Sequence, residues 1–226
     1  MEKEILIIVP SRSNGSGREN NVDRFIENWL QYTEGYSDLL ISLDEDDEHY
    51  YPRRNGVMYT VEPNVRLVPK LNRESFKYKD QYKAIAFFGD DHLIKSPWES
   101  KFLEFFSQNG GVGIVYGNDL LQFDKLPTAV CLTSNIIDIL GYMIYPKLYH
   151  MYADNFWKDL GTATNTLKYF PEVIFEHLHP DIGKAHRDTQ YSYAAQVVGY
   201  DQSVYQNYLY NSEFQDDVDK VNALKK

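Results

Sequence analysis

The segment Glu4-Ile-Leu-Ile-Ile-Val9 constrains the fold more than any other stretch. EILIIV is continuously apolar and rich in β-branched residues, with no alternation that would leave one face to water. A strand of this kind is buried on both faces, the signature of a parallel sheet lying under helices. Pro10 stops it and the polar, glycine-bearing loop SRSNGSGREN follows. Asn20 or Asn21 is then placed to cap a helix carrying Val22, Phe25, Ile26, Trp29 and Leu30 at helical spacing.

The alternation continues. Asp38 to Leu43 reads as a second strand running into the acidic loop Asp44 to Glu48, Val65 to Pro69 (VRLVP) as a third, and Asn72 to Tyr82 as a polar helix. AIAFFGDDHLI, from Ala84 to Ile94, starts as a buried strand and ends at a glycine, two carboxylates and an imidazole. Pro97 opens a helix bearing Trp98, Phe102, Phe105 and Phe106, and GIVY (Gly113 to Tyr116) returns as a strand. The expected fold is an α/β sandwich with a mainly parallel central sheet.

Beyond Asn118, LPTAVCLTS reads as a strand, Ser134 as the cap of NIIDIL, and Gly141 as its left-handed terminator. Asp154 is placed to cap NFWKDL before Gly161, and LKYF and EVIFEHLH read as a strand pair. The expected organisation is one α/β domain over residues 1–187 with residues 188–226 as a helical arm packed on it. That arm is Tyr-rich and ends on the amphipathic set Phe214, Val218, Val221 and Leu224.

Composition removes several function classes. A chain that is 43% hydrophobic, with 19 Tyr and 12 Phe in 226 residues, packs a core rather than remaining disordered. Cys131 stands alone, so it closes no intrachain disulfide and builds no cysteine zinc site, which fits a reducing cytoplasm. The apolar run in MEKEILIIVP is too short for a signal peptide or a membrane span. The net charge of -10 argues against a protein that coats nucleic acid by neutralising phosphates.

In open α/β sheets ligands collect at the carboxyl ends of the strands. Ser11 and Arg12 follow the first expected strand, Asp44 the second, Lys70 and Asn72 the third, and Gly89-Asp90-Asp91-His92 the fourth, so one shared pocket would account for all of them. Asp90, Asp91 and His92 suit a divalent cation that also holds phosphates; the plainer reading is a helix cap or a solvated turn. His177 and His179, two apart beside Glu176, face one side of an extended chain and fit either one ligand site or two structural histidines. Asp154 fits a helix cap and a general base equally. Arg12, Lys70 and Lys184 are candidates for balancing a diphosphate.

The ordered set IIVPSRS, LDEDD, LN, FFGDDH, IVYGNDLLQFDKLPT, ADNFW and EHLHPDIGK resembles small GT-A-type glycosyltransferases, family 2-like, of bacteria and bacteriophages, from Ile5 to about Tyr191. The resemblance implies a nucleotide-binding sandwich in which Pro10, Ser11, Arg12 and Asp44 hold the nucleoside with Asn72 near it. It further implies Asp90 and Asp91 as the aspartate motif, with Asp91 on a Mn²⁺ or Mg²⁺ ion, His177 or His179 completing the metal shell, and Asp154 as the base. The implied reaction moves a sugar, with inversion, from a UDP-linked donor to a hydroxyl of a glycan, a small molecule or a modified DNA base, in a bacterial or phage-infected cytoplasm. There are departures: Gly89-Asp90-Asp91-His92 replaces Asp-any-Asp and leaves the role of His92 open, and Ala153-Asp154 keeps one carboxylate of the usual acidic pair. The loop Arg12-Ser13-Asn14 also lacks the expected glycine and second arginine. A sugar nucleotidyltransferase and a non-catalytic nucleotide-sugar or glycan-binding module are the competing readings.

Overall fold

A computed structural model describes residues 2–225, so the first and last residues of the expected spans 1–187 and 188–226 lie outside the described residues. In chain order the elements are β1 (Ile5–Pro10), α1 (Arg18–Tyr32), β2 (Ser37–Asp44), β3 (Met58–Glu62), α2 (Leu67–Tyr78), β4 (Ala84–Phe87), β5 (His92–Ile94) and α3 (Glu99–Gln108). They continue as β6 (Ile114–Asn118), β7 (Val130–Thr133), α4 (Ser134–Leu140), α5 (Ala153–Ala163), β8 (Leu167–His177), α6 (Thr189–Tyr210) and α7 (Ser212–Ala223). The strands join in the order β3-β2-β1-β4-β7-β6-β8-β5. The first four run parallel, β7 lies antiparallel to β4 and β6, and β8 is parallel to β6 but antiparallel to β5, so the sheet is mixed.

β1 shows how the opening apolar run works. Ile5 to Val9 are all fully buried. Leu6 and Ile8 join the core formed with α2, α4 and α5, while Ile5, Ile7 and Val9 pack with Phe25, Ile26 and Trp29 of α1. Both sides of the pleat are therefore hydrophobic, and Ile7→Ala is expected to cost ~2–5 kcal/mol.

Several expected boundaries move. The third strand is Met58–Glu62, an edge strand paired only with β2, and Leu67 to Pro69 open α2. Proline is tolerated in a first helical turn, where its missing N–H has no helical partner to lose. α1 starts at Arg18 behind the left-handed Gly17 (φ 89°), and α3 starts at Glu99 rather than Pro97. Asp154 lies inside the first turn of α5 rather than at its cap, and that helix runs through Gly161 to Ala163. A Cβ on Gly161 would meet the Cβ of Leu167 at 2.9 Å, so this glycine serves close packing and does not end the helix. LKYF and EVIFEHLH are one long strand, β8, with a register shift opposite Gly117 and Asn118. Ser134 opens α4 and donates its hydroxyl to the carbonyl of Tyr82, and Gly141 ends it at φ 85° as expected.

The two C-terminal helices pack on the core face shared by α2, α4 and α5. Asp201 of α6, fully buried, accepts the backbone N–H groups of Tyr149, His150 and Met151 at 2.9, 2.9 and 2.8 Å. These charge-assisted bonds fix the loop that enters α5, and with it Asp154. Among the described residues no helix is long and apolar enough to cross a membrane.

Candidate active site

A cavity of about 810 Å³ opens at the carboxyl ends of β1, β2 and β4 and is closed on the far side by the loop into α5 and the start of α6. Of the residues expected from sequence, Pro10, Ser11, Arg12, Asp44, Asp90, Asp91, Asp154, His177 and His179 line it, together with His92. Two do not. Asn72 faces the loop before α5, accepting the N–H groups of Met143 and Ile144 at 2.9 and 2.8 Å and donating to the Ile144 carbonyl at 2.8 Å. Lys184 donates to Glu176 at 2.7 Å outside the cavity.

One end is built from paired charges. Asp44, almost fully buried, takes the Arg12 guanidinium at 3.0 Å and the Lys70 ammonium at 2.5 Å on its two oxygens. Arg12 also grips Asp46 at 2.6 and 2.8 Å, and these acids hold it above its ordinary range against burial. Burial holds the Lys70 ammonium below its ordinary range, with Asp44 opposing. The acidic loop is only partly solvated, because Asp47 is buried and accepts the N–H groups of Ser13 and Asn14, both at 2.6 Å. That contact shapes the loop after β1, in which Asn14 and Gly15 are left-handed at φ 46° and 73°.

The other end is set by Gly89-Asp-Asp-His92. Asp90 accepts the Ser11 hydroxyl at 2.5 Å and Arg18 at 2.6 Å, and burial pushes its carboxyl up to about 6 against the opposing guanidinium. Asp91 accepts the Tyr191 hydroxyl at 2.8 Å on one oxygen. Its other oxygen lies 3.4 Å from His92 Nδ1 and 3.6 Å from His177 Nε2. Burial opposes ionisation of Asp91, but the two imidazoles outweigh it and hold the carboxyl well below the ordinary range. Gly89 is what admits this arrangement: a Cβ there would stand 2.6 Å from the Asp91 oxygen that faces both histidines.

The two imidazoles meet because β5 pairs antiparallel with β8 in the register that sets His92 opposite His177, their rings stacked at 4.3 Å. His92 Nε2 lies 3.5 Å from the Thr128 hydroxyl, which donates to Asp119 at 2.8 Å. Asp91, His92 and His177 each present a ligand atom within 4.8 Å of the others. Nδ1 of His92, the nitrogen that faces Asp91, is buried without a hydrogen-bond partner, as expected of a ligand atom that awaits an ion, while His177 offers Nε2 to the same oxygen. One carboxylate oxygen and two imidazole nitrogens fit a divalent transition metal. His179 lines the cavity but its Nδ1 accepts the Asp181 N–H at 3.2 Å, because the chain leaves the strand after His177 and turns at Pro180. The structure therefore brings His92, and not His179, to Asp91 and His177.

A solved mannosyltransferase superposes on nearly the whole chain, which has the fold of a GT-A-type glycosyltransferase.

That statement rests on solved structures at low sequence identity. Staphylococcus aureus TarS superposes with a TM-score of 0.54 at 11% identity over 76% of this chain and 36% of that one, so the chain spans about a third of TarS. A TarS 1–349 structure in complex with UDP-GlcNAc gives 0.53 at 11% identity, over 76% of this chain and 57% of that one. The mannosyltransferase PcManGT from Pyrobaculum calidifontis, in complex with GDP-Man and Mn²⁺, gives 0.53 at 10% identity over 99% of this chain and 74% of that one. Rv0371c from Mycobacterium tuberculosis, with manganese, gives 0.52 at 11% identity over 79% and 94%. No family model and no curated protein sequence matches the chain.

Within this GT-A frame Asp154 projects from the first turn of α5 into the cavity, accepting the N–H of Asn155 at 3.0 Å and, among the described residues, no side-chain donor. Burial raises its carboxyl above the ordinary range. Sequence reasoning missed Arg18, Asp188, Tyr191, Arg66 and His150. Arg18 bridges Asp90 and Asp188, both at 2.6 Å, and stacks 5.4 Å from the Tyr191 ring, tying α1 to the start of α6. In the sequence it lies ahead of the expected cap at Asn20 or Asn21, and only the structure makes it the first residue of α1.

Proposed function

We propose that the chain is a metal-dependent glycosyltransferase that moves a sugar from a UDP-linked donor to an acceptor hydroxyl with inversion. The observation that carries this reading is that one GT-A cavity holds both the triad Asp91, His92 and His177 and the Asp154 carboxylate, which has no side-chain partner among the described residues. In this reading residues 1–187 form the catalytic domain, and residues 188–226 form an arm whose first helical turns wall the acceptor side. The expected setting is a bacterial or phage-infected cytoplasm, with a glycan, a small molecule or a modified DNA base as acceptor.

Pro10, Ser11, Arg12 and Asp44 orient the nucleoside, with Asp44 already held in place by Arg12 and Lys70. Ser11 and Arg18 fix Asp90 beside the diphosphate. Asp91, His92 and His177 would hold a divalent cation, which when bound would supply charge neutralisation for a nucleoside diphosphate leaving group, and the two nitrogen donors favour Mn²⁺ over Mg²⁺. Asp154 takes the acceptor's proton as that oxygen attacks the anomeric carbon. A carboxylate raised above its ordinary range by burial holds that proton better than a solvated one.

A thermal-shift screen of UDP- and GDP-linked sugars with and without Mn²⁺ tests donor and metal together. Stabilisation by a UDP-sugar that requires Mn²⁺, followed by transfer to an acceptor panel, is the expected result. No nucleotide-sugar stabilisation under any metal condition would overturn the reading, and pyrophosphate release from a nucleoside triphosphate would replace it with nucleotidyl transfer.

A further inference from the structure

Five cationic side chains line the cavity: Arg12, Arg18, Arg66, Lys70 and Arg187. Four are matched to carboxylates, Arg12 and Lys70 to Asp44, Arg18 to Asp90 and Asp188, and Arg187 to Asp181. Arg66 is the exception: among the described residues it has no carboxylate partner, and its Nη1 is sealed from water without an acceptor. A buried donor on a charged group is costly to leave unmatched, so it points to an acceptor that arrives with a ligand.

The surroundings hold Arg66 ready. Its guanidinium lies 4.8 Å from the ring centre of Tyr149 and 4.8 Å from that of Tyr193. Tyr149 in turn stacks on Tyr200 at 4.7 Å, with the planes 17° apart. The backbone of Tyr149 is fixed at both ends, its N–H on Asp201 at 2.9 Å and its carbonyl on the Val68 N–H at 3.1 Å. Aromatic faces satisfy part of the cation's field and restrict its rotamers, but they supply no oxygen lone pair to its N–H groups.

We propose that Arg66 is the anion-binding residue of this cavity, taking two oxygens of a phosphate or carboxylate on a bound substrate through its planar fork. A guanidinium fixed between two rings matches such a group bidentately and loses little freedom on binding, which an ammonium would not reproduce. The inference rests on the cavity being a nucleotide-sugar site. The anion has two possible sources of the same chemistry, the donor's diphosphate and an acidic group on the transferred sugar or the acceptor.

Calorimetric titration of the full chain in Mn²⁺ separates them, with uridine, inorganic pyrophosphate, UDP, UDP-glucose and UDP-glucuronate as probes, and inorganic phosphate added at saturating UDP. Arg66→Met keeps the stacked stem and removes the charge, and Arg66→Lys keeps the charge without the fork. Arg66→Met is expected to weaken at least one anionic probe by about tenfold or more, with Arg66→Lys intermediate and uridine unchanged. Equal losses on pyrophosphate, UDP and both UDP-sugars assign the diphosphate. A loss confined to UDP-glucuronate assigns an acidic sugar, and one confined to inorganic phosphate assigns an anionic acceptor.

Anionic probes bound by Arg66→Met as by wild type, uridine lost in step with UDP, or no anion bound by the wild type would each overturn the proposal. Pyrophosphate or phosphate binding that depends on Arg66, in a chain that binds no nucleotide, would sink the glycosyltransferase reading and leave the anion site standing. Should Arg66→Met fail to fold, Arg66→Lys at wild-type affinity for every probe would also overturn it.

Discussion

The two ends of the cavity are built on opposite electrostatic principles. At the end formed by β1 and β2, Asp44, Arg12, Lys70 and Asp46 neutralise one another, and Asp47 fixes the loop that carries them. Asp44 Oδ1 has no hydrogen bond of good geometry but is neutralised by Lys70 at 2.5 Å, whereas at the end formed by β4, β5, β8 and the starts of α2 and α6 Nδ1 of His92 and Nη1 of Arg66 are buried without a hydrogen-bond partner. A finished network orients a ligand that brings little charge, as a base and ribose do. An unfinished one is completed by a ligand and an ion that bring charge with them. Asp90 and Asp91 mark the border, the first already matched by Arg18 and Ser11, the second facing two imidazoles.

The sharpest break in the comparison comes from Asp154, the acid without a side-chain partner among the described residues. Asp154→Asn should fold normally and lower turnover by ~10²–10⁴-fold in a transfer assay, the range for loss of a general base. Unchanged turnover would remove the base assignment. Next in size, His92→Ala should weaken Mn²⁺ by more than the ~10–100-fold that loss of an outer partner costs, whereas His179→Ala should leave Mn²⁺ affinity near wild type. The reverse order would restore the pairing of His177 with His179 expected from sequence.

A smaller effect tests the support behind the triad. Thr128→Val removes the hydroxyl between Asp119 and His92, and titration should show Mn²⁺ affinity reduced by ~10–100-fold without loss of fold. The smallest is a pH effect at His150, which burial holds below the ordinary imidazole value of 6.5. Below that value the unfolded chain takes up a proton that the folded one resists. This group's contribution to stability is therefore fully present above about pH 6.5 and is lost as the pH falls. Denaturant unfolding of His150→Gln between pH 7 and 5 should show a shallower acid loss than wild type, and an identical slope would contradict it.

The paired end was largely legible in the sequence and the other end only in part. Apolar runs such as EILIIV and AIAF announce buried strands, and in this topology their ends gather at one edge, so Ser11, Arg12, Asp44 and Asp91 were within reach of pattern reading. β3 was missed because an edge strand is half exposed, and the valines of VRLVP mimic a strand while Pro69 sits in a helical first turn. Arg18 and Arg66 were out of reach, since their roles depend on α6 returning across the cavity to supply Asp188, Tyr191 and Tyr193. His179 was favoured by a two-residue spacing that holds only while the chain stays extended. The cross-strand register that selects His92 is not written in any local pattern.

Calorimetric titration of Mn²⁺ in the presence of UDP, on wild type and on folded Asp91→Asn, tests the central assignment most directly. The account predicts Mn²⁺ binding that is strengthened by UDP in the wild type and lost in the variant. Equal Mn²⁺ binding by both proteins, or none by the wild type, would contradict it.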